Sequence, residues 1–78
     1  MINRESFITK VADLFDETDP SEITLDSNFR DLDEWGSLIG MGLMAITSDE
    51  YEVNITPEDL QKVHTFEELA QLIDEKKK

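Results

Sequence analysis

Between Leu38 and Ile46 the chain reads LIGMGLMAI, nine residues without a single charged side chain. As a helix this stretch is apolar nearly all the way round, and such a helix is normally buried on every side. The chain has 78 residues, enough for one small domain spanning 1–78 with a modest core. A bundle of that size cannot enclose one helix completely. The fold therefore has to set other short helices around this segment, and part of its surface has to meet a partner or a tethered group.

The remaining apolar residues supply those helices. Phe7, Ile8, Val11, Leu14 and Phe15 recur at helical spacing, one face of about four turns, with Asn3 as N-cap and Asp19-Pro20 as the stop. Residues 18–36 are irregular and longer than a usual helix connection. Ile23, Leu25, Phe29, Leu32 and Trp35 run through them, which predicts an ordered loop wrapped over the core. The second helix is expected from Ser37 to Tyr51. Thr56 as N-cap, Pro57 in the first turn and Asp59 third predict a short third helix. Thr65 and Glu68 form a capping box for a last helix that buries Phe66, Leu69, Leu72 and Ile73. Lys76, Lys77 and Lys78 either complement the negative end of its dipole or form a solvated tail. The alternating YEVNI is too short for a sheet. The expected fold is an all-α four-helix bundle of three longer helices and one short one. Its core is expected to hold Phe7, Val11, Phe29, Tyr51, Ile55, Val63, Phe66 and Leu69.

Composition excludes several functions. There is no cysteine, hence no disulfide, zinc thiolate or thiol nucleophile, and a reducing compartment fits. No apolar leader precedes the first helix and no run is long enough to span a bilayer, so a soluble, cytoplasmic protein is expected. A net charge of −12 repels nucleic acid and anionic lipid and favours basic partners. His64, the only histidine, is expected on the surface beside a helix cap rather than in catalysis or metal binding. The segment from Asp31 to Gly42 imitates a calcium loop at positions one, three and six, but it has Trp35 at five and Gly42 at twelve, where ligands are required. No acid, base and nucleophile converge, so an enzyme is not expected. Neither is a metal site.

Ser37 stands out at the start of the apolar helix. As an N-cap its hydroxyl would accept a backbone N–H, although Gly40 occupies the place of a reciprocal acid. The same position favours negative charge, so a phosphate borne by Ser37 would be accommodated there. Met41 and Met44 add the soft side chains of adaptable surfaces. Gly40 and Gly42 each cost about 1 kcal/mol relative to Ala, which points to something approaching the backbone closely.

With an amphipathic first helix, a long ordered loop, Gly36-Ser37-Leu38, the stretch DEYEVNITPEDL and the junction Val63-His64-Thr65-Phe66, the chain resembles the acyl carrier protein family. The resemblance covers nearly its full length. It implies that Ser37 receives 4′-phosphopantetheine from a phosphopantetheinyl transferase. The arm's thiol would hold acyl groups as thioesters, and the bundle would shelter part of the chain. Acyl-transferring or acyl-modifying enzymes would dock on the second helix of a monomeric carrier.

The family's motif is Asp-Ser-Leu; here Gly36 replaces the acid, with Asp33 and Glu34 as nearby substitutes. Positions often acidic in carriers of fatty acid biosynthesis are Ile39, Gly42 and Ser48, while Asp49 and Glu50 are kept. These departures favour a dedicated carrier with a more apolar docking face. Specialised lipid metabolism, envelope polysaccharide or secondary metabolite synthesis are the candidate pathways. An aminoacyl or peptidyl carrier, or an unmodified interaction module of the same fold, are alternatives. Leu38 and Met41 are expected in the core or at the arm's exit, and Ile39, Gly42, Leu43 and Asp49 on the docking face.

Overall fold

In the computed structural model, which describes residues 2–77, the Asn3 side chain accepts the amide of Ser6 at 2.9 Å and opens helix α1, Arg4–Ala12. Phe7 and Val11, one turn apart, are fully buried. The helix stops at Ala12 and does not run on to Asp19. Leu14 and Phe15 instead donate to the carbonyls of Val11 and Ala12, three residues back, each at 3.0 Å. These tighter turns still carry Phe15 into the core and Leu14 against it. The apolar spacing therefore outlasts the helix.

The long connection is ordered, as its spaced apolar residues require. It contains two single turns of 3-10 helix, Pro20–Glu22 and Phe29–Asp31, each capped by the acid or amide before it. It is strapped to the end of the chain by backbone bonds, Phe29 N–H to the His64 carbonyl at 3.2 Å and Glu67 N–H to the Leu25 carbonyl at 3.0 Å. Asn28 and Thr65 form an isolated antiparallel bridge beside them. Phe29 sits against Phe66 with ring centroids 5.3 Å apart, and Phe15 meets Phe66 edge-on at 6.4 Å. Each such aromatic pair adds about 0.5–1.5 kcal/mol beyond its area. Arg30 reaches from the loop to His64 Nδ1 at 3.0 Å and to the Leu60 carbonyl, so His64 is an exposed loop residue with a structural neighbour.

Helix α2 spans Ser37–Tyr51 and turns Gly40, Leu43 and Thr47 inward. Thr47 is fully buried, and its hydroxyl donates to the Met44 carbonyl at 2.9 Å, which satisfies it. The helix ends on Glu52 in the left-handed region (φ 56°, ψ 36°), a conformation that costs a non-glycine residue about 1 kcal/mol. Val53 and Ile55 then enter the core without forming a strand.

Helix α3, Pro57–Lys62, begins with the expected box. Thr56 Oγ1 accepts the Asp59 amide at 3.2 Å while Asp59 accepts the Thr56 amide at 3.1 Å. Helix α4, Phe66–Lys77, begins with the second box, Thr65 Oγ1 accepting from Glu68 N at 3.2 Å. The Glu68 carboxylate takes the His64 and Thr65 amides in return. Phe66, Leu69, Ala70 and Ile73 are its buried face; Leu72 is only half-buried. Of the terminal lysines, Lys76 pairs with Asp59 at 3.2 Å and Lys77 donates to the Tyr51 carbonyl at 2.9 Å, while Lys78 lies outside the described residues. Residues before and within the first turn of α1 meet α4. Ile2 N–H and Arg4 both bond Asp74 at 2.7 Å, and Arg4 also bonds Glu67 at 2.9 Å. The described residues thus form an all-α arrangement of four helices. No described helix is long and apolar enough to cross a membrane.

Candidate functional site

Ser37 is the first residue of α2 and not its N-cap. Gly36 holds the cap position, and its carbonyl accepts the first intrahelical bond, from Gly40 N–H at 3.0 Å. Glycine has no side chain to cap with, so the first-turn amides of α2 have no side-chain acceptor. The other three helices carry acids in their first turn, whereas α2 carries none. Ser37 is exposed at this positive end of the helix dipole.

Two contacts fix the chain just before it. The Trp35 ring packs tilted on buried Phe29 at 4.6 Å between centroids, and the Trp35 backbone N–H donates to the Leu32 carbonyl at 3.0 Å. The Glu34 carboxylate accepts the Glu17 amide at 2.8 Å and the Thr18 hydroxyl at 2.7 Å. The Thr18 bond, backed by the neighbouring amides against a weaker desolvation effect, holds the Glu34 carboxyl below its ordinary pKa. Glu34 therefore does not substitute for the acid beside Ser37: it ties the end of the loop to its beginning. Nothing in the sequence announces this clamp, since a carboxylate bonding an amide 17 residues away leaves no pattern. Asp33 stays exposed.

Gly36 itself is not imposed by the fold. Its backbone is fully extended (φ −175°, ψ −176°), open to any residue. A Cβ there would find its nearest neighbour, the Glu34 carbonyl oxygen, 4.0 Å away. An aspartate would fit.

The faces of α2 resolve differently from expectation. Leu38 and Met41 are not core: they are 83% and 60% exposed and face solvent. Leu43, expected to meet partners, is fully buried, because it falls on the same stripe as Gly40 and Thr47. Ile39 is half-buried against the core, and Asp49 is exposed. Gly42 is not free for docking either. A Cβ at Gly42 would come within 2.8 Å of Leu14 Cδ2, so the close approach is made by the chain's own side chain. Periodicity could not separate these faces, since all of them are apolar.

A surface hollow of about 300 Å³ lies in the loop, lined by Glu17, Thr18, Glu22 and Asp31 to Glu34. Its carboxylates are unsuited to an acyl chain. Among the described residues no group of His, Asp and Glu could hold a metal ion.

These features, an exposed serine at an uncapped helix start within a four-helix arrangement, agree with one family. The model of the phosphopantetheine attachment site family matches residues 5–73, and the chain belongs to that family. It is thus a carrier, not a catalyst, of the acyl carrier protein kind, and its prosthetic group is covalently attached 4′-phosphopantetheine. Such carriers are served by phosphopantetheinyl transferases and by partner enzymes that act on their cargo. No curated protein and no solved structure matches the chain. The residues present fit the group, because the α2 amides are free to face a phosphodiester. The group's terminal thiol supplies the nucleophilic sulfur that a cysteine-free chain lacks.

Proposed function

We propose that Ser37 is the attachment residue and that residues 1–78 act as one monomeric carrier unit, in the cytoplasm, holding acyl groups as thioesters. The observation that carries the assignment is the exposed Ser37 hydroxyl at the uncapped, acid-free start of α2. In loading, Ser37 Oγ forms a bond to the phosphorus that bears pantetheine in coenzyme A. The phosphoanhydride bond to that phosphorus breaks, adenosine 3′,5′-bisphosphate leaves, and the hydroxyl proton passes to a base of the transferase. The resulting negative charge sits at the positive end of α2, an arrangement worth about 0.3–1 kcal/mol.

The absence of acids at Gly36, Ile39, Gly42 and Ser48 supports a dedicated carrier in a specialised lipid, envelope or secondary-metabolite pathway. Partner enzymes would meet it on α2. Incubation with coenzyme A and a broad-specificity transferase is expected to add one phosphopantetheine mass to the wild type and none to Ser37→Ala. A modified Ser37→Ala chain, or a wild type unmodified by several transferases including the host's own, would refute the assignment.

A further inference from the structure

We propose that Trp35 belongs to the binding site of the 4′-phosphopantetheine arm, its indole being the surface on which the arm's first apolar segment lies; this rests on Ser37 being the attachment residue. Trp35 is the single tryptophan of the chain and stands two residues before Ser37. Its ring is held from within by buried Phe29, 4.6 Å away between centroids and tilted by 38°, and its backbone N–H is fixed to the Leu32 carbonyl at 3.0 Å. The indole is nevertheless only half-buried. Among the described residues its Nε1–H has no acceptor, and the one buried side-chain polar atom without a partner belongs to Tyr51, so the Trp35 N–H opens to solvent. A ring that merely filled space against Phe29 would need no N–H. An indole packed on one side and wet at its polar edge suits a ligand that is itself part apolar and part polar.

The backbone sets this ring close to the tether. Gly36, between the two residues, is fully extended (φ −175°, ψ −176°). In extended chain, alternate residues lie on the same side of the backbone, about 7 Å apart. Glycine also puts no side chain between them: a Cβ at Gly36 would find its nearest neighbour 4.0 Å away. From Ser37 Oγ the arm runs through a phosphodiester and one methylene to a carbon that bears two methyl groups. That dimethyl carbon is the arm's first apolar piece, and it comes within the span that separates Ser37 from Trp35. Beyond it lie a hydroxyl and an amide carbonyl, both acceptors for an indole N–H. Charge leaves this path open. No charged residue occurs from Trp35 to Ser48, and the Glu34 carboxylate is engaged by the Glu17 amide and the Thr18 hydroxyl. Holding the root of the arm narrows the directions from which its thiol end reaches a partner enzyme, and leaves that end free.

The test compares the apo chain with the chain loaded from coenzyme A by a transferase, freed of that enzyme and checked by intact mass. Because Trp35 is the sole tryptophan, its fluorescence reports this site alone. Acrylamide should quench it less in the loaded chain than in the apo chain. In proton NMR the two arm methyls should move upfield from their positions in coenzyme A, by the ring current, and show Overhauser contacts to the indole protons. Trp35→Leu keeps an apolar side chain against Phe29 and removes the indole; in that variant, loaded, the methyls should return to their coenzyme A positions. A loaded wild type with unchanged quenching, unshifted methyls and no contact to the indole would overturn the proposal, as would an upfield shift that persists in Trp35→Leu. Where Trp35→Leu does not fold, the wild-type Overhauser contacts decide alone. A wild type that gains no mass, or gains it on a residue other than Ser37, overturns the Ser37 assignment instead.

Discussion

Gly40 and Gly42 lie two residues apart in α2 and differ in what surrounds them. A Cβ at Gly40 would meet Leu60 Cδ1 at 3.7 Å, ordinary contact, so this glycine gives up helix propensity with no steric return. Gly40→Ala is expected to stabilise the fold by about 0.5–1 kcal/mol, read as a higher denaturation midpoint at unchanged slope. At Gly42 the added atom would displace Leu14, so no such gain is expected there. Tyr51 is a second case. It was expected in the core but is half-buried, its ring 6.1 Å from Phe7 and 5.4 Å from Lys10 Nζ. Its hydroxyl is buried and has no hydrogen-bond partner among the described residues. Tyr51→Phe removes that orphan and should be neutral or stabilising by up to about 1 kcal/mol. A loss of more than about 1 kcal/mol on urea unfolding would show that the hydroxyl is bonded after all.

At the scale of elements, one carboxylate ties the end of the loop before α2 to its beginning. Glu34 is charged when it accepts from Glu17 and Thr18, and these bonds lower its pKa in the folded state. A lowered folded pKa means that the contribution is complete above the ordinary carboxyl value. It is lost as pH falls through the folded one. Glu34→Gln should therefore unfold at a lower temperature than wild type at pH 7. The gap between them should narrow as pH drops below the ordinary value, and a gap that widens there would contradict the clamp.

Which elements could be read in advance follows from how local their causes are. The caps at Asn3, Thr56 and Thr65 act within three or four residues, so their residue types give them away. The end of α1 could not be read, because Leu14 and Phe15 keep the helical spacing while making three-residue turns. The orientation of α2 could not be read either. With apolar residues on all faces, the pattern does not distinguish buried Leu43 from exposed Leu38; tertiary packing does. Ser37 was legible as a candidate through its motif neighbours, whereas the Glu34 clamp beside it, a tertiary contact, was not.

For the whole molecule, charge opposes the fold. Nineteen acids against seven bases repel one another at neutral pH. Among the described residues the ion pairs are Arg4 with Glu67 and Asp74, and Lys76 with Asp59. Screening should relieve more repulsion than attraction, so raising NaCl from about 10 to about 200 mM is expected to raise the melting temperature. A fall would mean that these pairs outweigh the net repulsion.

The central claim is that this carrier is loaded at Ser37, and it is tested most directly on chain purified from its own host. Proteolysis followed by fragmentation mass spectrometry should find 4′-phosphopantetheine, free or acylated, on the peptide containing Ser37 and on no other. The arm on a different residue, or an unmodified Ser37 peptide throughout the population, would contradict the account.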